Sequence, residues 1–160
     1  PFAAERLYAR AAELAAPEGR RVLDLYAGSG GVALTLAAAG AEEVLGLEVS
    51  RPAVEAARRG ATPFRGRVRF EVAPVEDVQS YLTVPESGVI APGSGGGFDT
   101  WVVNPPRKGL APEVIRALRL LRPERVVYVS CHPDRLAEDV EALRPVFELD
   151  AVTQIGRAHV

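Results

Sequence analysis

Cys131 is the one cysteine of the chain, set in Tyr128-Val129-Ser130-Cys131-His132-Pro133, directly after an apolar run and directly before a helical pattern. A thiol does its chemistry as the thiolate, and the unpaired N–H groups and dipole at a helix start favour that form. Pro133 suits the first helical position, where its missing N–H costs nothing, and Leu136, Val140 and Leu143 then recur at helical spacing. The position therefore suits a nucleophile. It equally suits a small buried hydrophobe at a strand end, and Cys131 alone does not separate the two.

A second constellation is Asp24-Leu25-Tyr26-Ala27-Gly28-Ser29-Gly30-Gly31, running from a strand pattern into a helical one. Glycines at such a junction let the backbone turn sharply and approach a ligand, with helix N–H groups available to its polar atoms. Glu48 follows roughly twenty residues on, the usual offset for an acid that hydrogen-bonds ribose hydroxyls. The spacing Gly28-x-Gly30-x-x-Ala33 also fits the dinucleotide fingerprint, which keeps the nucleotide-binding module of an oxidoreductase as a competitor. Asp24 argues against that reading, because a carboxylate just before the glycines repels a pyrophosphate but suits an amino group. S-adenosylmethionine carries an α-amino group, a sulfonium and no phosphate, and fits this site better.

The third constellation is Asn104-Pro105-Pro106-Arg107-Lys108-Gly109, after the apolar run Trp101-Val102-Val103. Ligands of open α/β sheets sit outside the carboxyl ends of the strands, near the point where strand order reverses, which puts Asn104 beside the cofactor. Asn-Pro-Pro resembles the corresponding segment of amino-group methyltransferases of adenine, glutamine or cytosine, which place an aromatic residue next. Arg107 stands there instead, and a guanidinium can stack on a base or grip a phosphate. Lys108 reads equally as its helper or as a solvated charge, and Trp101 reads as a core aromatic.

The elements that must position these residues alternate between strand and helix patterns, which predicts a parallel sheet covered by helices on both faces. Helices are expected over Ala3 to Leu14, Gly31 to Ala39, a segment that Ser50 can cap with Pro52 near its start, Val75 to Leu82, and Pro112 to Leu121. Strands are expected at Arg21 to Tyr26, Glu43 to Glu48, Val68 to Ala73, Phe98 to Val103 and Arg125 to Ser130, with a last one beginning at Val146. Pro85 to Gly97 is rich in Gly, Pro and Ser and reads as a loop. Ile155 to Val160 fit nothing before them and read as a non-native tail, leaving residues 1–154 as one domain that looks truncated at both ends.

With 160 residues, 48% of them hydrophobic and 25% charged, the chain suffices for one domain with a sizeable core. Apolar runs fall short of the ~18 residues of a membrane span, and the first residues lack a signal-peptide pattern, so the expectation is a cytoplasmic protein with no membrane partner. The single cysteine excludes an internal disulfide, and no Cys/His spacing suits a metal. A net charge of −2 gives no global positive field for nucleic acid, although a local basic face would serve. Arg58, Arg59, Arg65, Arg67 and Arg69 are a possible patch of that kind, but a plain solvated surface is the simpler reading.

Taken together, Asp-Leu-Tyr-x-Gly-x-Gly, Glu48, Asn-Pro-Pro-Arg-Lys-Gly and Tyr-Val-Ser-Cys-x-Pro resemble the RNA uracil-5 methyltransferase family over nearly all of Phe2 to Thr153. That resemblance implies the doubly wound, Rossmann-like α/β fold of class I S-adenosylmethionine-dependent methyltransferases, here without its last strand. It implies methyl transfer to carbon 5 of a uridine in ribosomal or transfer RNA. It also implies that Asp24, Tyr26, Gly28, Gly30, Gly31, Glu48 and Asn104 line the cofactor site, Cys131 attacks the base, and Arg107 and Lys108 meet the RNA. Departures from the family pattern are Asn104 where many members have Asp, Gly31 where they have a polar residue, His132 where Asn is common, and no acid near Pro74. Glu76 or Asp77 is the substitute for that acid, each reading more simply as a solvated helix position. Family members also carry a general-base Glu beyond the last strand, which this chain is expected to lack. An amino-group methyltransferase using Asn104-Pro105-Pro106 remains the alternative, with Cys131 incidental. His132 reads as a residue of the helix start, and Asp134, Glu138 and Asp139 as solvated helix positions.

Overall fold

The computed structural model describes residues 2–64, 66–83 and 94–155. Arg65, most of the Gly/Pro/Ser-rich loop, and the tail from residue 156, including His159, lie outside the described residues, and so do the readings placed on them.

Among the described residues five strands form one parallel sheet: β1 (Arg21–Leu25), β2 (Glu43–Glu48), β3 (Val68–Val72), β4 (Thr100–Val103) and β5 (Arg125–Tyr128), in the order β3-β2-β1-β4-β5. The helices are α1 (Phe2–Ala15), α2 (Gly31–Ala38), α3 (Arg51–Gly60), α4 (Pro112–Leu121) and α5 (Pro133–Leu143), with a 3-10 segment at Val75–Tyr81. The strands and α1, α2 and α4 have bounds within two residues of those expected, and α3 and α5 follow Ser50 and Cys131, where helices were expected to begin. The near-continuous apolar strands are those of a sheet buried on both faces.

Side-chain alternation divides the strands between two cores. Val22, Val44, Val68, Phe70, Val102 and Val127 pack against α1, α2 and α3. Leu23, Leu25, Leu45, Leu47, Trp101 and Val103 pack against the Val75–Tyr81 segment, α4 and Leu143 of α5. Trp101 is fully buried, and its indole Nε1 donates to Gly95 O at 3.0 Å.

Two expectations are corrected. No strand forms from Val146 among the described residues; Phe147 is instead partly buried against the second core, and its amide donates to Leu143 O at 2.9 Å. Ser50 is the N-cap of α3, but its side chain makes no capping hydrogen bond; its amide donates to Glu48 Oε1.

Strand order reverses at β1, which has β2 on one side and β4 on the other. The crevice beyond the carboxyl ends of β1 and β4 is therefore the place where this topology receives a ligand.

Candidate active site

Beyond Leu25 the chain enters a turn in which Tyr26 (φ 61°), Gly28 (φ 56°) and Gly30 (φ 86°) are all left-handed. For a bulky residue such as Tyr26 this conformation is uncommon and costs on the order of 1–3 kcal/mol, so the surroundings must enforce it. They do so through the half-buried phenol, whose oxygen accepts a hydrogen bond from the Ala111 amide at 2.9 Å. Gly31 then opens α2 with Tyr8 of α1 lying against it: a Cβ at Gly31 would sit 2.5 Å from the Tyr8 ring. Of the three glycines only Gly28 has open space where a side chain would project; Gly30 faces Phe70 and Gly31 faces Tyr8.

Asp24 lies beneath this turn, 1% exposed, and neither carboxylate oxygen has a hydrogen-bond partner. Burial pushes its carboxyl up to about 7, and the nearby Glu48 charge adds to the rise. The Ala33 amide in the first turns of α2 opposes it without reaching hydrogen-bond geometry. Such an orphaned acid suits a cationic group and opposes a pyrophosphate, which weighs against a dinucleotide here.

Glu48, at the end of β2, accepts from the Gly28 amide at 2.9 Å through Oε2 and from the Ser50 amide at 2.8 Å through Oε1. Both oxygens keep lone pairs for further donors while the two bonds fix their direction. Val49, next in the chain after β2, is 67% exposed, an apolar residue that sequence reasoning passed over.

On the other side of β1, the Asn104 amide donates to Leu25 O at 3.3 Å, holding the start of the Asn-Pro-Pro loop against the strand that carries Asp24. β4 and β5 run in register with Val103 opposite Tyr128, and the Val129 amide donates to Val103 O at 2.8 Å. Asn104 and Cys131 therefore emerge from neighbouring strands at the same edge.

Cys131 is exposed, two residues ahead of α5. His132 is the N-cap, its Nδ1 accepting from the Arg135 amide at 3.3 Å, which makes it part of the helix start. Arg107 and Lys108 are both exposed and have no ion-pair partner among the described residues. Lys108 borders a cavity of about 400 Å³ that Glu76, Arg116 and Arg135 also line.

Asp139 departs from expectation. Read as a solvated position, it is 2% exposed and accepts hydrogen bonds from the Tyr128 phenol at 2.6 Å and the Leu110 amide at 2.8 Å. Burial, and then this bond to Asp139, push the Tyr128 phenol far above its ordinary range. A signal was present, since Asp139 falls three residues after Leu136 and four before Leu143, on the apolar stripe of α5.

Arg58, Arg59, Arg67 and Arg69 of the arginine cluster are exposed, and three of them are tied to their surroundings. Arg58 donates to Phe70 O and Arg67 to Ala41 O, while Arg69 pairs with Glu43 at 2.8 Å.

Residues 22–119 match the family model described as a methyltransferase domain, and residues 96–155 match one described as tRNA (uracil-5-)-methyltransferase. The chain is 36% identical over 138 residues to a tRNA (uracil(54)-C(5))-methyltransferase of Pyrococcus horikoshii, a match covering 86% of this chain and 30% of that protein. It is 40% identical over 141 residues to a 23S rRNA (uracil(1939)-C(5))-methyltransferase of Xylella fastidiosa, covering 87% of this chain and 29% of that one. Among solved structures it is similar to the Pyrococcus abyssi tRNA (uracil-54, C5)-methyltransferase in complex with S-adenosyl-L-homocysteine. That likeness has a TM-score of 0.69 at 34% identity, over 87% of this chain and 31% of the other. TrmN from Thermus thermophilus, at 22% identity and a TM-score of 0.60 over 84% of this chain and 40% of its own, shares the fold. The chain thus spans just under a third of the length of its uracil-5 relatives.

Proposed function

We propose that this chain, which belongs to the methyltransferase-domain family, is the catalytic domain of an RNA uracil-5 methyltransferase that moves a methyl group from S-adenosylmethionine to carbon 5 of a uridine in transfer or ribosomal RNA. The observation that carries this reading is the pairing of β4 with both β1 and β5, which gathers the glycine turn, Asn104 and Cys131 at one edge of the sheet. The likeness to uracil-5 methyltransferases of transfer and ribosomal RNA supports the choice of acceptor. The partner is RNA, and the setting is the cytoplasm.

The residues present fit the cofactor. Its α-amino group suits the orphaned Asp24 carboxyl, its ribose hydroxyls suit the two held oxygens of Glu48, and its adenine suits the exposed Val49. Tyr26, Gly28, Gly30, Gly31 and Asn104, on the glycine turn and at the start of the neighbouring loop, are the other residues we assign to its site. When bound, the cofactor supplies an electrophilic methyl group on a sulfonium.

Uracil carbon 5 is too weak a nucleophile to take that methyl unaided. Cys131, as thiolate, adds through Sγ to carbon 6 of the ring, and the electron pair of the 5,6 double bond moves into an enolate with charge at carbon 5. Carbon 5 then bonds the methyl carbon, and the methyl–sulfur bond breaks with its electrons on sulfur. Loss of the carbon 5 proton to a general base restores the double bond and expels the Cys131 thiolate. A uridine in folded RNA must first be extruded to reach Cys131, and Arg107 and Lys108 are the groups to hold its base or phosphate.

The test is the intact mass of the chain after incubation with S-adenosylmethionine and a short RNA containing 5-fluorouridine. Fluorine at carbon 5 cannot leave as a proton does, so attack by Cys131 and methyl transfer end in a trapped adduct. The expected shift equals RNA plus methyl, and Cys131→Ser abolishes it while leaving S-adenosylhomocysteine affinity within about twofold. Methylation of an RNA amino group that survives Cys131→Ala would overturn the proposal in favour of the Asn-Pro-Pro amino-group reading.

A further inference from the structure

The carboxyl of Asp139 joins three parts of the site that the sequence keeps far apart. Oδ2 accepts from the Leu110 amide, at the end of the loop that begins with Asn104, and from the phenol of Tyr128, the last residue of β5. Oδ1 lies 3.7 Å from Nε of Arg135, on the first turn of the helix that follows Cys131. The loop closes down on this carboxyl so tightly that a Cβ at Gly109 would sit 2.6 Å from Asp139 Oδ2 and 2.4 Å from Arg135 Nε, and Gly109 adopts a φ of 84°. One residue beyond Leu110, Ala111 is tied to Tyr26 of the glycine turn. Leu110 and Ala111 are thereby pinned from opposite sides, by the Cys131 helix and by the cofactor turn.

A buried carboxylate on an otherwise apolar helix face is costly unless its bonds have a purpose that packing cannot serve. Leucine at this position would fill the second core, yet it could not fix the Leu110 amide to β5 and α5 at once. We propose that Asp139 is a positioning residue for the reaction: it locks the Asn104–Leu110 loop onto the strand and helix that carry Cys131, so that the acceptor base is held at a fixed distance from the thiol. The inference rests on the uracil-5 reading. It assigns Asp139 no contact with cofactor or RNA.

The experiment compares wild type, Asp139→Ala, Asp139→Asn and Tyr128→Phe of the whole chain in the 5-fluorouridine trapping reaction at saturating RNA and S-adenosylmethionine, with S-adenosylhomocysteine affinity and Tm measured alongside. Because misplacement of about 1 Å slows a positioned reaction severely, Asp139→Ala is expected to trap at least about tenfold more slowly, with cofactor affinity within about twofold of wild type. Asp139→Asn keeps a carbonyl oxygen able to accept from both Leu110 and Tyr128, and is expected to restore the rate to within about threefold. Tyr128→Phe removes one of the two donors without opening a large cavity and reads the same effect if Asp139→Ala fails to fold; slowing of about threefold or more is expected. A folded Asp139→Ala that traps at the wild-type rate overturns the proposal, as does a rate that falls only in step with cofactor affinity. An unslowed Tyr128→Phe, where it alone of the two folds, also overturns it. A wild-type chain that binds S-adenosylhomocysteine but never traps RNA overturns the uracil-5 reading and this inference together, so the two failures are told apart.

Discussion

A carboxyl group buried with neither oxygen hydrogen-bonded, as at Asp24, is held in its protonated form by desolvation until the surroundings supply a cation. Its folded value of about 7 lies above the ordinary 3.8, so between those values the folded protein keeps a proton that the unfolded chain has lost. The contribution of Asp24 to stability is therefore greatest below about pH 4, falls as pH rises to about 7, and is level beyond. Asp24→Asn removes that loss, so thermal unfolding is expected to show the variant equal to wild type near pH 4 and several degrees more stable near pH 8. Cofactor binding responds in the opposite sense. Calorimetric titration with S-adenosylhomocysteine is expected to show affinity rising with pH through about 7 in wild type, with proton release near neutrality. In Asp24→Asn the affinity should be flat with pH and about tenfold weaker near pH 8, the loss of one charge-assisted contact. A wild-type affinity independent of pH would remove Asp24 from the cofactor site.

At the scale of the element, the first turn of α2 is shaped by α1 as much as by its own glycines. The Tyr8 ring lies where a side chain at Gly31 would project, the position at which the chain departs from the polar residue of its resembled family. Gly31→Ala is expected to cost about 1–3 kcal/mol in urea unfolding, the usual range for overpacking. Tyr8→Ala in the same chain is expected to recover most of it, because the clash has a single partner. If the double variant is no more stable than Gly31→Ala, the strain lies in the turn itself. Arg58, Arg67 and Arg69 likewise brace β2 and β3, through bonds to backbone carbonyls and to Glu43.

For the whole molecule, the sheet is a partition between two cores, and Trp101 is the largest fully buried side chain in either. It sits on β4, whose carboxyl end carries Asn104, and its indole N–H is satisfied by Gly95 O. Trp101→Ala is expected to lose about 3–5 kcal/mol by denaturant titration, with S-adenosylhomocysteine affinity following the folded fraction rather than changing intrinsically. A smaller loss would mean that the second core collapses into the space.

Most of the fold was legible in the chain because its cues are local. Runs such as Val22 to Leu25 and Val126 to Val129 are apolar and β-rich, glycines and prolines mark their ends, and the period changes where helices begin. The glycine turn, Glu48 and the Asn-Pro-Pro loop were legible for the same reason, each being a short motif at a strand end. The order β3-β2-β1-β4-β5 was not local information; that Asn104 and Cys131 emerge side by side was expected only from the usual neighbouring of the fourth and fifth strands in such sheets, and the structure has that order. The burial of Asp139 was hinted at by its place on the apolar stripe of α5, but what makes a buried acid tenable there, the Leu110 amide of the loop that folds over it, comes from a distant segment. The sequence by itself determined which elements form and which side chains carry chemistry, because propensity, patterning and turn geometry act over a few residues. Only the tertiary structure decided which of those side chains face one another and which polar groups lie buried, because both depend on contacts between segments far apart in the chain.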